Sequence, residues 1–338
     1  MTTPFTAPWS LFKSAPVRPL EGGLINVTWM VGDPVAAVLQ RVNPIFGAEV
    51  HEDIEAVTAH VEATGLVTPR LIRTDDGALS AVDPEGAVWR ALTWIPGQTF
   101  HRLDGPARAR SAATLVARWH RAVSELDYTF VHRRLGVHDT LSHMGKLAAG
   151  LVHHGSHRLF AEVEPLACEI LGQWAAWSGT LDLPERVSHG DLKVSNLRFG
   201  ADGEAICLLD LDTMGPMSID AELGDAWRSW CNPAGEDEQR SRLDLDLFEA
   251  AARAYLENHP LSPAEREGLV PGVERICLEL AARFAVDALE ERYFGFDPSV
   301  AATRGEHNLI RARGQYELAR SVQAQRSRME AIVRSAAS

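Results

Sequence analysis

The most informative segment of this sequence is the run HGDLKVSN at residues 189–196, which precedes a short apolar stretch ending at Asp210. Between them, the tetrapeptide GADG at 200–203 is typical of the tip of a β-hairpin. Pairing the two arms of that hairpin brings Asn196 and Asp210 together at its open end, beside Asp191. The sequence therefore predicts that two carboxylates and an amide oxygen converge in a small volume.

Such hard oxygen ligands suit Mg²⁺, which keeps water and nucleotide phosphates as its other ligands. Phosphoryl transfer depends mainly on positioning and charge neutralisation, with a carboxylate orienting the attacking hydroxyl. We predict that Asp191 is this catalytic base and that Lys193 lies near the transferring phosphoryl group. Asn196 and Asp210 are predicted to hold the metal. The spacing H-x-D-x-x-x-x-N alone is a weak signal that chance also produces, but the hairpin and the apolar flank of Asp210 favour a site.

Composition sets the limits for partners and location. The chain has 338 residues, of which 46% are apolar and 23% charged, as in a soluble globular protein with two lobes or two domains. A formal net charge of -13 argues against nucleic-acid or anionic-membrane partners. The N-terminus lacks the apolar run of a signal peptide, and we find no stretch long enough to span a membrane. We therefore expect a cytoplasmic protein whose four cysteines are reduced.

The order of predicted elements changes near residue 97. Before that point we expect strands at 36–42, 70–73 and 87–95, with a helix at 48–65 that is ended by Gly65. After the Pro-Gly break the pattern becomes mostly helical. We accordingly predict a small β-rich lobe at residues 1–97 and a larger α-rich lobe at 98–338, with a ligand cleft between them.

The HGDLKVSN run resembles the catalytic loop of eukaryotic-type kinases, and its HGD opening is similar to that of the aminoglycoside phosphotransferase and choline kinase superfamily. Within that superfamily, four further segments are similar to the bacterial N-acetylhexosamine 1-kinase branch: GLINVT at 23–28, VLQRVN at 38–43, ELGDAWR at 222–228 and EHNLIRAR at 306–313. The resemblance implies an α+β, protein-kinase-like two-lobed fold. It also implies that ATP and Mg²⁺ are the cofactors.

By position, the resemblance implies two groups of nucleotide-binding residues. The first is the loop before the second strand, with Gly22, Gly23, Asn26 and Thr28. The second is a hinge at Thr93, Trp94 and Ile95, where backbone groups would meet the adenine edge; an ordinary edge strand predicts the same residues.

One departure concerns the third strand, where a protein kinase has a phosphate-binding lysine. This sequence has Gln40 and Arg41 there. Arg41 either supplies the positive charge, braced by Glu52 or Glu55, or faces solvent. The missing lysine keeps a non-catalytic, nucleotide-binding protein open as an alternative.

The acceptor is expected to be a small molecule with a hydroxyl group, bound near Asp191. The resemblance implies a sugar or amino sugar of the N-acetylhexosamine type, phosphorylated at the anomeric oxygen. Mixed charge near the C-terminus suits a neutral polyol better than a polycation, although choline, homoserine and aminoglycosides remain alternatives. The candidate acceptor-binding residues are Asp191, Asp225, Arg228, His307, Asn308 and Arg311.

These acceptor assignments have plainer alternatives. Asp225 and Arg228 lie one helical turn apart and are equally suited to an ion pair within the helix. Arg311 could simply be solvated on its helix. We expect His189 to shape the catalytic loop, and Asp212 either to support the metal ligands or to be exposed.

Overall fold

An antiparallel sheet forms the N-terminal lobe of the chain. The structure is a computed structural model, and it describes residues 3–20, 25–132 and 136–336. The strands of this sheet are β1 (Val17–Leu20), β2 (Val27–Gly32), β3 (Val35–Arg41), β4 (Leu71–Ile72), β5 (Ala81–Val82) and β6 (Val88–Thr93). Their order is β1-β2-β3-β6-β4, and β5 also pairs with β6.

The outer face of this sheet has its own small core. Leu39 on β3 and Trp89 on β6 are fully buried there, and Trp29 stacks on Trp89 with 5.1 Å between ring centroids. The N-terminal segment covers this face, because Trp9 is fully buried and its indole donates to the Ile72 carbonyl at 2.7 Å. The N-terminal residues therefore belong to the folded lobe.

Helices make up most of the second lobe. They are α2 (Pro106–Val123), α3 (Thr140–His153), α4 (Phe160–Ala176), α5 (Ile219–Trp230), α6 (Leu245–Asn258), α7 (Pro263–Glu290) and α8 (Arg304–Ala336). Helix α7 is buried along most of its length and packs against α3, α4, α5 and α8, although its buried residues include charged ones such as Glu274, Arg275 and Glu279. Ser262 and Glu265 form a capping box at its start.

Helix α1 (Val50–Ala63) follows β3 and joins the small lobe to the large one. Its apolar residues Ile54, Val57 and Val61 belong to the same core as the α2 residues Ala112 and Val116. The sheet's inner side thus faces the helical lobe across this helix.

Two short antiparallel ribbons sit between α4 and α5 and carry the polar motif. One pairs β7 (Glu185–Ser188) with β10 (Gly215–Ser218), and the other pairs β8 (Leu197–Phe199) with β9 (Ala205–Leu208). Each ribbon holds one end of the loops that contain the predicted catalytic and metal-binding residues.

The connector between the lobes is bonded to one of these ribbons. Gln98 and Phe199 exchange two backbone hydrogen bonds, each of 2.8 Å. Gly97 has φ 140°, and a Cβ there would meet the Phe199 carbonyl oxygen at 2.3 Å, so this close approach requires glycine.

The predicted fold class is confirmed: a small antiparallel lobe precedes a larger helical lobe. The helix expected at 48–65 runs over Val50–Ala63, and Gly65 follows it with φ 83°. The sequence patterns did not reveal helix α3. No helix within the described residues is long and apolar enough to cross a membrane.

Candidate active site

The β8–β9 hairpin forms as expected around its glycine-rich tip. Leu197 pairs with Leu208, and the Leu209 amide donates to the Asn196 carbonyl at 2.8 Å. The arms therefore end together, which places Asn196 beside the start of the turn that contains Asp210.

Asp191, Lys193 and Asn196 are in direct contact. The Lys193 ammonium lies 2.5 Å from Asp191 Oδ2. The Asn196 amide donates to the Asp191 carbonyl at 2.8 Å and to Asp191 Oδ2 at 3.0 Å. Burial disfavours the charged form of Lys193, but Asp191 and Asp210 outweigh it and hold its pKa above the usual value. Asp191 thus remains partly accessible between an amide and a cation that stays protonated.

Asp210 begins a 3-10 turn, Leu211–Thr213, from a left-handed conformation with φ 60°. Burial first, and then the charges of Asp212 and Asp191, raise the pKa of Asp210 to about 6, although Lys193 and Arg90 oppose them. Within the described chain no group donates a hydrogen bond to the Asp210 side chain.

The donor set fits a divalent cation. Asn196 uses its amide nitrogen on Asp191, and its Oδ1 accepts no hydrogen bond from any residue that the structure describes. Asp210 adds a carboxylate that is crowded by other carboxylates. Such oxygens, free of protein donors, are the ligands that Mg²⁺ uses together with water and phosphates.

A buried carboxylate holds the catalytic loop from behind. Glu222 on α5 accepts the backbone N–H groups of His189 at 2.7 Å and Gly190 at 2.9 Å. It also lies 3.2 Å from His120 Nε2, and His120 contacts the Tyr255 hydroxyl at 2.9 Å. Burial favours the neutral acid, but the neighbouring imidazoles and N–H donors outweigh it and lower the pKa of Glu222.

His189 and Gly190 shape the same loop. His189 Nδ1 accepts the Asp191 N–H at 3.3 Å, so its Nε2 donates to the Leu209 carbonyl at 2.8 Å. Gly190 has φ 80°, and a Cβ there would lie 2.4 Å from the Thr213 carbonyl oxygen. His189 is therefore structural, as expected, and joins the catalytic loop to the residue before Asp210.

On the nucleotide side, Arg90 and Asp212 form a buried pair. Both terminal nitrogens of Arg90 contact the Asp212 carboxylate, one of them at 2.8 Å, and Arg90 Nε donates to Gln40 at 2.8 Å. Asn26 also donates to Asp212 at 2.7 Å and accepts the Asn43 N–H at 2.9 Å. Asp212 is therefore buried and bonded to the small lobe.

The structure corrects the assignment of Arg41. Successive strand residues face opposite sides, so Arg41 shares the outer face with Leu39 and lies opposite Trp89, away from Gln40. Glu55 on α1 contacts Arg70 and Arg73 instead of bracing Arg41.

The other predicted nucleotide residues are placed as follows. Thr28 lies opposite Gln40, whose amide donates to its hydroxyl at 3.3 Å. Gly22 and Gly23 lie outside the described residues. The hinge is largely occupied by protein contacts, which are Thr93 N–H to the Arg70 carbonyl, Trp94 N–H to the Ala36 carbonyl, and Arg198 Nε to the Ile95 carbonyl.

Arg198 links this hinge to the catalytic hairpin. Its guanidinium lies 4.5 Å from the centroid of the Trp94 ring while its Nε holds the Ile95 carbonyl at 2.9 Å. The hinge thus contacts the β8 strand that follows Asn196.

On the acceptor side, Asp225 and Arg228 form the predicted ion pair within α5, at 2.8 Å. Burial favours the neutral form of Asp225, but Arg228, His138 and Lys193 outweigh it and lower its pKa. Arg228 also reaches Glu236 at 3.3 Å and Gln315 at 3.4 Å. The next residue of α5, Ser229, accepts the Val194 N–H at 3.2 Å, so this pair lies near the catalytic loop.

His307 and Arg311 both contact Asp237, the residue that follows Glu236. His307 Nε2 lies 2.9 Å from Asp237 Oδ1, and Arg311 Nε donates to that oxygen at 2.6 Å. We call residues 232–244, between α5 and α6, the acidic loop. It brings the two predicted acceptor clusters together.

Asn308 has a different place. It is fully buried, and its amide donates to Asp287 at 2.8 Å. Asp287 accepts the backbone N–H groups of Arg292, Tyr293 and Phe294. Asn308 thus orders the connection between α7 and α8, which corrects its assignment to acceptor binding.

Residues 16–261 match the family described as "APH: Phosphotransferase enzyme family". The chain belongs to this phosphotransferase family. The matched range includes the catalytic loop, the hairpin and helix α5.

Solved structures share the fold of this phosphotransferase at low sequence identity. A microcompartment-associated aminopropanol kinase superposes with a TM-score of 0.63 at 14% identity, covering 96% of each chain. An aminoglycoside phosphotransferase from Alicyclobacillus acidocaldarius gives 0.60 at 15% identity, covering 98% of each chain. An amicoumacin kinase in complex with AMP-PNP, Ca²⁺ and Ami gives 0.58 at 12% identity, covering 86% of this chain and 87% of that one.

Two supporting groups of this phosphotransferase were not found from its sequence. The sequence places Glu222 only within a family-like segment, and none of the motifs includes Arg90. Arg90 sits in the strand WRALT, where a charge between apolar residues signals a buried partner. That signal identifies a paired charge without naming Asp212.

Proposed function

We propose that this phosphotransferase transfers the γ-phosphoryl group of ATP to a hydroxyl of a small, neutral sugar or amino sugar. The closest chemical description is an N-acetylhexosamine-like acceptor that is phosphorylated at its anomeric oxygen. The observation that carries the proposal is the contact of Asp191 with both Lys193 and Asn196, beside Asp210.

Each catalytic residue then has one task. Asp191 accepts the proton of the attacking hydroxyl and orients its oxygen towards the phosphorus. Lys193 keeps a positive charge next to that carboxylate, where charge develops on the transferring group. Asn196 Oδ1 and the Asp210 carboxylate would hold Mg²⁺, which neutralises phosphate charge when bound.

The nucleotide-side residues act mainly through the backbone and the shape of the cleft. Asn26 and Thr28 brace the loop before β2, and Gly22 and Gly23 would let its backbone approach the phosphates. Thr93, Trp94 and Ile95 would border the base. Arg41 has no part in this proposal, because it lies on the other face of the sheet.

Charge pairing on the acceptor side favours a neutral acceptor. Asp225 is neutralised by Arg228, and Asp237 is shared by His307 and Arg311. An aminoglycoside needs carboxylates that are free to meet its ammonium groups, whereas a sugar needs paired polar groups that donate and accept hydrogen bonds. We place Asp225, Arg228 and Arg311 around the acceptor, with His307 behind the acidic loop.

The test is acceptor-dependent release of ADP from Mg-ATP by the wild type and Asp191→Asn. The acceptor panel holds N-acetylhexosamines, glucosamine, neutral hexoses, choline, homoserine and aminoglycosides. We expect turnover with an N-acetylhexosamine or related sugar and a loss of about 10²–10⁴-fold in the variant. Asp202→Asn at the exposed hairpin tip is the matched control and should keep full activity.

Turnover with only choline or only an aminoglycoside would refute the sugar as acceptor but support the kinase activity. If Asp191→Asn turned over as fast as the wild type, Asp191 would not be the catalytic base. Mg-ATP binding without turnover on any acceptor would support the non-catalytic alternative.

A further inference from the structure

The buried pair of Arg90 and Asp212 joins the two lobes at the nucleotide site. Arg90 lies on β6 of the small lobe, and Asp212 lies two residues after Asp210 in the large lobe. Their side chains are 2% and 1% exposed. A charge pair with so little access to water persists only when its hydrogen bonds are satisfied.

Arg90 is unsuited to bind phosphate itself. Its Nε donates to Gln40 and both terminal nitrogens contact Asp212, so every nitrogen of the guanidinium has a protein partner. Burial disfavours the cation, but Asp212 outweighs this and raises the pKa of Arg90. The charge of Arg90 is therefore committed to Asp212.

Asn26 extends the same contact to the nucleotide loop. Its amide nitrogen donates to Asp212 Oδ2, and its oxygen accepts the Asn43 N–H that follows β3. Asp212 therefore receives donors from β6 and from the segment before β2. Both come from the lobe opposite to its own.

The turn that carries Asp212 also carries Asp210. Asp210 is in the left-handed region, and Leu211–Thr213 form a single 3-10 turn after it. A shift of Asp212 within so short a turn also shifts Asp210, because the two residues are separated only by Leu211.

We propose that Arg90 is a positioning residue: through Asp212 and Asn26 it sets the Asp210 turn relative to the nucleotide loop. This inference rests on the proposed use of Mg-ATP. The third-strand position that carries a lysine in protein kinases here holds Gln40, which orients Arg90 through its Nε. The buried cation of the small lobe is thus Arg90 on β6, and it bonds to Asp212 in the turn after Asp210 rather than to the nucleotide.

The shape of the guanidinium provides the test. An arginine can bind a carboxylate with two parallel hydrogen bonds, whereas a lysine keeps the charge but makes a point contact. Arg90→Lys therefore removes the fork and the Gln40 contact without removing the charge. Arg275→Lys is the matched control, because Arg275 is equally buried and pairs with Asp220 at 3.2 Å in the helical lobe.

Binding of ADP and of AMP-PNP is measured by calorimetry with Mg²⁺ and with EDTA, alongside the melting temperature. We expect Arg90→Lys to weaken Mg²⁺-dependent nucleotide binding about 10–100-fold, as the loss of groups that orient metal ligands usually does. Binding in EDTA should change much less. Arg275→Lys should lower the melting temperature but bind nucleotide as the wild type does. In turnover assays Arg90→Lys should raise KM for ATP and leave KM for the acceptor unchanged.

A second variant, Asn26→Ala, keeps the inference testable if Arg90→Lys does not fold. Asn26→Ala removes the contact with the nucleotide loop and keeps the Arg90–Asp212 pair. We expect it to weaken Mg²⁺-dependent binding with little change in melting temperature. Wild-type nucleotide binding in the folded variants, or an equal loss in Arg275→Lys, would overturn the inference. If no sugar in the panel were turned over, these binding measurements would still test the role of Arg90. If the wild-type protein bound no Mg-nucleotide, both proposals would be refuted.

Discussion

The catalytic loop and the middle of the acidic loop are held in different ways. Residues 189–196 are anchored through their backbone, by Glu222 from behind and by the Trp230 indole, which donates to the Leu192 carbonyl at 2.7 Å. The middle of the acidic loop is held by side chains, since Glu236 and Asp237 are 45% and 48% exposed and reach inward to buried cations. Near its end the loop is held through its backbone, at Leu243, by Ser321 and Gln325 of α8.

This difference predicts which of the two loops tolerates substitution. Backbone anchoring leaves the catalytic side chains little freedom, and the anchors are buried, so replacing one is costly. Contacts made by exposed carboxylates compete with water and contribute about 1 kcal/mol or less. The acidic loop can therefore change without disturbing the catalytic loop.

The largest effect should come from Glu222→Gln. The new amide places a donor against one of the two backbone N–H groups, of His189 or Gly190, and removes the charge beside His120, so we expect a loss of about 3–5 kcal/mol of unfolding free energy. Urea denaturation measures it, and turnover should fall with it. Glu265→Gln, at the start of α7, should lose stability but keep turnover per folded molecule. If Glu222→Gln kept full stability, the loop would not depend on this anchor.

A smaller loss is expected for Gly190→Ala. Its Cβ would meet the Thr213 carbonyl and its φ is positive, so we expect at least about 2 kcal/mol of destabilisation and reduced turnover. Gly203→Ala at the hairpin tip is the control, because its φ is 84° but no atom lies within 4 Å of the added Cβ. That variant should lose about 1 kcal/mol and stay active. If the two variants lost equal stability in thermal denaturation, the positive φ alone would explain the loss, and the contact with Thr213 would contribute nothing.

The support behind the catalytic loop should also respond to pH. Burial, and then the charges of His120 and Arg186, lower the pKa of His259 to about 4. The unfolded chain therefore binds more protons than the folded one between about pH 6.5 and 4, so unfolding free energy should fall as pH drops through that window. We expect His259 to contribute about 2–3 kcal/mol of this loss.

His259→Phe tests this contribution. Neither ring nitrogen of His259 has a partner in the described structure, so phenylalanine should be tolerated. The variant should be less sensitive to pH in denaturant titrations. His51, whose pKa burial and Arg90 also lower to about 4, should keep part of the slope. An unchanged slope would argue against a neutral, buried His259.

The smallest change in stability should come from Asp237→Asn. The residue is half exposed, so we expect less than about 1 kcal/mol of destabilisation. His307 and Arg311 lose their shared partner, so KM for the acceptor should rise while kcat changes little. Steady-state kinetics at saturating ATP measures both. A large fall in kcat would mean that the two loops are coupled more tightly than their contacts indicate.

The contact between Asp191 and Asn196 could be predicted from the sequence because its geometry is local. The hairpin needs only its glycine-rich tip and two apolar arms, and these bring Asn196 towards Asp210. Strand alternation could also have corrected Arg41, since Ala37, Leu39 and Arg41 must share one face. The Arg90–Asp212 pair joins residues far apart in the chain, and one sequence carries no pattern that identifies such a partner.

The acceptor side was only partly predictable for the same reason. The family-like segments identified Arg228 and Arg311, but the residues that join them, Glu236 and Asp237, lie in a loop without periodicity. Asn308 shared the segment's pattern and yet faces Asp287. A segment match indicates which residues matter together, whereas the direction of each side chain follows from packing.

The bonded connector bears on how the two lobes can rotate relative to each other. A segment between two lobes usually absorbs their relative rotation. Here Gln98 is paired with Phe199 and the Ile95 carbonyl is held by Arg198, so the connector travels with the hairpin of the large lobe. Rotation of the small sheet about the strand side of Trp94 would therefore have to break the buried contact of Arg90 with Asp212, which ties that sheet to the Asp210 turn.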